Sequence, residues 1–424
     1  MKQRVAVIGA GAAGLAAARQ VSARADEFEC VVFEMSDQVG GTWVYTDQVG
    51  KDEFGLPVHS SMYKSLRTNL PKEVMGYPDY PIPEQQKSYL YAREILQFLN
   101  DYADHFGVRK LIKFRHHVEK IKPVSGGVKE AWEVTFKNLL ANKSETQIFD
   151  AIMICNGHYN TPFIPEIEGQ AKFSGKILHS HDYREPSPFV GQRVVVVGAG
   201  PSGMDLALEI ARSAKEVVLS HHNPDPIKTV FPPNVRQTPD IIRMDGNKIH
   251  FRNGTNAEVD VIFYCTGYCY SFPFLDKEAG VYVKDNHVQP LYKHLVHINK
   301  PSMCFVGLPF YVCAFSMFDL QSRFFIKVLD GSLTLPSSED MLAEMEAEAK
   351  DRREKGLGPR QGHMMGPMQG DYYEDLAKTA GIEPLPPVLT KLHNESSQRF
   401  LDDLCNYRED VYRIVDSEKF VQIA

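Results

Sequence analysis

Short, unbroken apolar runs that end in glycine punctuate this chain, and each is followed by helix-forming or polar sequence. Val5-Ala6-Val7-Ile8 has the pattern of a fully buried strand and enters Gly9-Ala10-Gly11-Ala12-Ala13-Gly14, after which an Ala-rich stretch predicts a helix. Residues 30–34 predict the second strand, and residues 89–106 an amphipathic helix with Ile95, Leu96, Leu99, Tyr102 and Ala103 on one face. Between them, residues 45–87 are rich in Pro, Tyr and Gly and lack periodicity, an excursion too long for an ordinary connection and expected to be functional or partner-facing. Segments 118–121, 132–136 and 147–149 alternate, with breaks at Gly126-Gly127 and Asn142, and predict a β-meander. Residues 151–155 form another buried run, and Pro162, Pro165 and Gly169 mark a boundary. The opening pattern then repeats, as Arg193-Val194-Val195-Val196-Val197 enters Gly198-Ala199-Gly200-Pro201-Ser202-Gly203 and a helical run over 204–214.

Further strands are expected at 216–219, 248–251, 260–268 and 301–307, the last returning to the first sheet. Helices are expected at 319–329 and about 339–355, the latter capped by Ser338; a Met- and Gly-rich loop over 356–370 and two more helical stretches complete a tail without a motif of its own. The reading is an α/β chain with two Rossmann-type dinucleotide-binding domains, a β-meander and a helical C-terminal tail. Its expected divisions are 1–163, 164–268 and 269–424, the first and third forming one domain in two parts.

A strand followed by Gly-x-Gly-x-x-Gly and a helix carries specific chemistry. The glycines permit a tight turn, close approach to a pyrophosphate and close packing of helix on strand. The first N–H groups of the helix then face the phosphates, where the helix dipole favours negative charge. Glu34 follows Gly14 by about twenty residues, the spacing of a carboxylate that accepts from a ribose hydroxyl. The bland alternative is a glycine-rich turn with an incidental surface Glu34. Two such turns imply two dinucleotides. The strand after the second ends in Ser220-His221-His222-Asn223, where no carboxylate would repel a 2′-phosphate, favouring NADP over NAD.

Composition narrows the class. With 43% hydrophobic and 24% charged residues the chain is ordinary for a globular protein, and its formal charge of −7 disfavours nucleic acid or an anionic membrane as partner. No apolar run reaches the roughly 18 residues of a membrane helix. Met1 stands so close to the first strand that no room is left for a signal peptide, so a cytoplasmic chain is expected, or a secreted one had a leader been removed. The seven cysteines contain no Cys-x-x-Cys pair, so neither a zinc ribbon nor a dithiol is signalled and no metal is expected.

One further segment resembles a known family. Phe173-Ser174-Gly175-Lys176-Ile177-Leu178-His179-Ser180-His181-Asp182-Tyr183 is similar to the F-x-G-x-x-x-H-x-x-x-[YF] sequence of flavin-containing monooxygenases, with Arg184 where that family usually has Lys or Pro. The order of first glycine turn, Gly40-Gly41-Thr42-Trp43, this segment, second turn and Thr266-Gly267-Tyr268 resembles the same family over most of residues 1–330. The resemblance implies FAD and NADP as cofactors. It assigns Gly9, Gly11, Ala12, Ala13 and Gly14 to the FAD pyrophosphate and Glu34 to its ribose. Gly41, Thr42, Trp43, Thr68 and Asn69 would lie along the flavin half, with Val118 and Gln321 as further cofactor contacts. Gly198, Gly200, Pro201, Ser202, Gly203 and Asp205 would serve NADPH, and Ser220, His221 and His222 its 2′-phosphate, with His222 where the family has Arg.

Asn69 would be the active-site asparagine, and the flavin itself would carry the chemistry through a C4a-hydroperoxide attacked by a soft nucleophile. The length resembles soluble insect-type members, some of which N-oxygenate pyrrolizidine alkaloids. The implied partners are therefore O2 and a tertiary amine or sulfide, with a homo-oligomer possible. Three rivals stay open. A Baeyer–Villiger oxygenase has Trp where Tyr183 stands. A flavin disulfide reductase needs a dithiol, for which only Cys265 and Cys269 are close in sequence. A catalytically idle flavoprotein would use its cofactors for structure alone.

Overall fold

Strand β1 (Gln3–Ile8) has neighbours on both edges and cover on both faces, as its unbroken apolar sequence requires. A computed structural model describes residues 2–126 and 130–423. Met1 and Gly127, the latter half of an expected break, lie outside the described residues. β1 pairs in parallel with β2 (Phe28–Phe33) and with Ala151–Ile154 in a seven-stranded sheet. Period-two alternation divides its side chains. Val5 and Val7 pack with Leu15, Ala16, Leu320 and Phe324, while Ala6 and Ile8 pack with Trp132, Phe136, Phe149 and Phe305. Each such side chain contributes roughly 1.5–3 kcal/mol on burial.

The helical face is built by α1 (Ala12–Ser22), α2 (Ala92–His105) and a later helix. α1 buries Ala12, Ala16, Ala17 and Ala18, and these small side chains let its neighbours approach closely. α2 is shorter than expected at both ends, and Phe98 joins its buried face while Leu96 stays half-buried. The other face is covered by the meander, observed as antiparallel strands His116–Pro123, Trp132–Asn138 and Lys143–Phe149. These strands outrun the expected ones because cross-strand hydrogen bonds, not alternation, decide where they end.

The second glycine turn opens α3 (Pro201–Ala211) and belongs to a separate five-stranded parallel sheet. Arg193–Val197 lies within it, flanked by Glu216–Ser220 and Val261–Tyr264, with Lys176–His179 on one edge. In sequence these strands fall between segments of the first sheet, to which Met303–Phe305 returns by pairing in parallel with Ala151–Ile154. The tail contains α4 (Ala314–Leu329), α5 (Ser338–Glu354), α6 (Gln369–Ala380) and α7 (Pro387–Asp402). Ser337, not Ser338, caps α5, its side chain accepting from the Asp340 N–H. A terminal hairpin, Tyr412–Ile414 with Phe420–Gln422, was not visible in the pattern.

Candidate functional site

Both glycine turns solve one steric problem in the same way. Gly9 and Gly198 have φ of +107° and +102°, and a Cβ on either would lie 2.6 Å from the carbonyl oxygen of Cys155 or Cys265. A Cβ on Gly14 or Gly203 would lie 1.8 Å from the oxygen of Gly9 or Gly198. No larger residue fits these four positions. The first backbone bonds into the helices are Leu15 N to Gly11 O at 2.9 Å and Met204 N to Gly200 O at 3.0 Å. Among the described residues, the N–H groups of Gly11, Ala12, Ala13 and Gly14, and those of Gly200, Ser202 and Gly203, have no hydrogen-bond partner. Pro201 occupies the first turn of α3, where a missing N–H costs nothing. Each turn therefore presents free donors at a positive helix end, a fit to a pyrophosphate.

At the first turn Glu34 is buried, and its two carboxylate oxygens accept from Ala10 N at 2.7 Å and Ser36 N at 2.8 Å. Gly41, at φ +55°, faces Gly11 so closely that a Cβ on it would be 3.0 Å from the Gly11 Cα. Thr42 reaches Ser61 Oγ at 3.5 Å, and the Trp43 ring meets Phe315 edge-on with centroids 6.3 Å apart. Val118 sits in the meander, two residues after His116, whose N–H donates to the Glu34 carbonyl at 2.9 Å. Gln321 lies deeper. Its Oε1 accepts from Gly307 N at 2.8 Å and its Nε2 donates to Tyr372 Oη at 2.7 Å, so both ends of its amide hold protein rather than a ligand.

At the second turn the register makes Ser220 the counterpart of Phe33 and His221 that of Glu34, since Gly9 N bonds Phe33 O and Gly198 N bonds Ser220 O, each at 2.8 Å. The Ser220 hydroxyl donates to Pro239 O at 2.9 Å, and His221 Nε2 is 3.1 Å from Gln237 Oε1. Of the three expected contacts, His222 alone is exposed. Asp205 also departs from expectation, because Tyr63 Oη and Arg408 Nη1 take up its two carboxylate oxygens.

Asn69 is exposed and, among the described residues, its side chain has no hydrogen-bond partner. Its neighbour Thr68 is buried and exchanges bonds with Leu90, Thr68 N to Leu90 O at 2.8 Å and Leu90 N to Thr68 Oγ1 at 3.1 Å. The segment between the two sheets holds the excursion in place. Arg184 donates to the carbonyls of Thr46, Gln48, Ser60, His181 and Tyr183 over 2.6–3.1 Å. Burial pushes His179 down to about 4, and the neutral ring accepts from His181 N and donates to Gly267 O. The roles of Arg184 and Arg408 had no local sequence signal, because their partners are carbonyls and a carboxylate far along the chain.

Two other features bear on the rivals. All seven cysteines are free, so no disulfide accompanies Cys265 and Cys269. His287, His294 and His363 bring ring nitrogens within 4.8 Å of one another. Val288 N donates to His363 Nε2 at 2.9 Å, so the proton of neutral His363 sits on Nδ1 and points at His294 Nδ1, 2.9 Å away. That leaves His363 no free lone pair for a cation.

Two glycine turns of one geometry joined by this linker define the class, and comparison with known proteins places the chain within it. The family model described as flavin-binding monooxygenase-like matches residues 2–229 and 224–394. The chain is 35% identical to senecionine N-oxygenase of Tyria jacobaeae over 98% of this chain and 91% of that protein. It is 39% identical to flavin-containing monooxygenase FMO GS-OX-like 4 of Arabidopsis thaliana, covering 89% of this chain and 87% of that one. The structure of S-allyl-L-cysteine S-oxygenase from Allium sativum matches with a TM-score of 0.89 at 35% identity, over 96% of this chain and 95% of that one. The chain belongs to the flavin-binding monooxygenase-like family and is an oxidoreductase. Among the described residues, no helix is long and apolar enough to cross a membrane.

Proposed function

We propose that the chain binds FAD at the first glycine turn and NADPH at the second, and uses O2 to oxygenate nitrogen or sulfur in soft nucleophiles such as tertiary amines, pyrrolizidine alkaloids among them, or sulfides. The observation that carries this reading is the pair of turns with free helix-end donors, together with an exposed, unpartnered Asn69 amide. In this reading residues 1–163 and 269–424 serve the flavin and 164–268 the pyridine nucleotide. Relatives named for N- and S-oxygenation support the substrate class.

Bound flavin supplies the redox chemistry and the activation of O2. The chain's own residues bind and orient. The N–H groups of Gly11, Ala12 and Ala13 hold one pyrophosphate, with Gly41 leaving room beside it, and Glu34 accepts from a ribose hydroxyl. The N–H groups of Ser202 and Gly203 hold the other pyrophosphate. His222 faces the 2′-phosphate, and no carboxylate stands at the His221 position to repel it. The Asn69 amide anchors the reacting end of the cofactors and helps keep water from it.

The test is coupling. With a tertiary amine or sulfide, the wild-type chain is expected to consume NADPH and O2 and to yield mostly N-oxide or sulfoxide. Asn69→Ala or Asn69→Asp should still oxidise NADPH while most of it appears as hydrogen peroxide. Unchanged coupling in both variants removes Asn69 from the mechanism. Oxygen inserted beside a ketone carbonyl, with no amine or sulfide product, overturns the substrate class.

A further inference from the structure

The loop that presents Asn69 belongs to no helix or strand, so something else must hold it. Two successive carbonyls before Asn69 accept from one guanidinium. Arg408 Nη2 donates to Arg67 O at 3.3 Å and Arg408 Nε to Thr68 O at 3.0 Å. The remaining prong, Arg408 Nη1, donates to Asp205 Oδ1 at 2.6 Å. Asp205 stands on α3, one turn beyond the second glycine turn. Its other oxygen accepts from Tyr63 Oη, just upstream of the same loop. Arg67 returns the grip, with Nη2 to Arg408 O at 2.8 Å and Nη1 to Glu409 Oε1 at 2.7 Å.

Arg408 itself is well anchored. Tyr407 beside it is fully buried, its ring edge-on to Tyr89 at 5.2 Å and to Phe400 at 5.1 Å. Leu404 N donates to Thr229 Oγ1 at 3.0 Å and Tyr412 N to Ser88 Oγ at 2.8 Å. The side chains of Arg408 and Asp205 are 17% and 13% exposed, so their charge pair is screened little by solvent. Arg67, Arg408, Asp205 and Glu409 balance to zero net charge, and the three directions in which Arg408 donates need a planar fork that lysine lacks.

We propose that Arg408 is a positioning residue for Asn69: by holding the Arg67 and Thr68 carbonyls against Asp205, it fixes the distance between the Asn69 amide and the helix that opens at the second glycine turn. This rests on the role given to Asn69 under Proposed function. A tail without a sequence motif thereby sets the geometry of the site, through hydrogen bonds among the chain's own residues.

The experiment is a double-mutant cycle on the flavin-loaded protein, comparing wild type, N69A, R408M and N69A/R408M. The readouts are peroxide formed per NADPH oxidised, kcat and KM for NADPH, flavin content and melting temperature. R408M is expected to lower kcat for oxygenated product about ten- to a hundredfold, with peroxide rising in compensation and KM for NADPH little changed. The double variant should be no more uncoupled than N69A, because Arg408 acts only through Asn69. Additive uncoupling in the double variant, or wild-type coupling in R408M, overturns the proposal. Wild-type coupling in N69A is a different result and removes the Asn69 reading on which the proposal stands. If R408M does not fold, R408K carries the same cycle, since it keeps the charge opposite Asp205 and loses the forked contact with both carbonyls.

Discussion

On the proposed reading of the second glycine turn, His222 is the residue placed to meet a 2′-phosphate. It stands exposed at the end of its strand, while Ser220 and His221 are turned to Pro239 and Gln237. An imidazole offers a 2′-phosphate a single donor edge, whereas an arginine there could make a charge-assisted bond of about 1.5–3 kcal/mol. His222→Arg is therefore expected to lower KM for NADPH about tenfold and leave KM for NADH unchanged, as read by initial rates with each cofactor. An equal effect on both would mean that the 2′-phosphate binds elsewhere. The shape of the two glycine turns was legible in the sequence because its constraint is local, a turn of one form between a strand and a helix. Asp205 and Gln321 show the opposite case, side chains whose partners no local pattern reveals. Each lies near a cofactor motif in sequence, yet its hydrogen bonds go to Tyr63 and Arg408, or to Gly307 and Tyr372.

Among elements, the excursion over 45–87 is the one whose order depends most on a single side chain. It has no regular structure beyond one short turn at Lys72–Val74, and five carbonyls in it and in the linker meet Arg184. Removing that donor leaves buried carbonyls unpaired at roughly 1–3 kcal/mol each, and they relax together rather than separately. Arg184→Met is expected to cost about 3 kcal/mol or more, seen as a lower denaturant midpoint, and to expose residues 45–60 to limited proteolysis. Cleavage no faster than in wild type would show that other contacts suffice. Unbroken apolar runs revealed the central strands, which are buried on both faces, and periodicity revealed the amphipathic helix and the meander. It could not reveal how a Pro- and Tyr-rich segment is held, because its partners, Leu90, Arg184 and Arg408 among them, lie outside it in the chain. The start of α4 at Ala314 was missed likewise, because its first turn buries Phe315, Ser316 and Met317 in succession and so shows no period.

For the whole molecule, acid should act earlier than the carboxylates alone would allow. Burial pushes His158, His179, His287 and His297 down to about 4. In the unfolded chain they titrate near 6.5. Between these values the unfolded state binds more protons, so stability falls as pH drops from about 6.5 towards 4. Asp260, held down to about 2 by Arg193, adds its loss only below the ordinary carboxylate range. The melting temperature is expected to decline steadily from pH 7 to pH 4.5. A flat profile over that interval would mean that these rings accept protons within the folded state.

The two sheets are joined where the chain crosses between them twice, and there Thr161–Pro162 pairs antiparallel with Tyr268–Cys269. That doubled crossing acts as the spine of a book, since it cannot part without unfolding. Ties of a different kind also join the halves, among them Lys64 N to Arg184 O at 3.0 Å, Ser65 Oγ to Glu209 at 2.6 Å, and Arg408 to Asp205. These are clasps, each able to open and close one bond at a time. Turning one half against the other would therefore break these bonds singly and leave the doubled crossing intact.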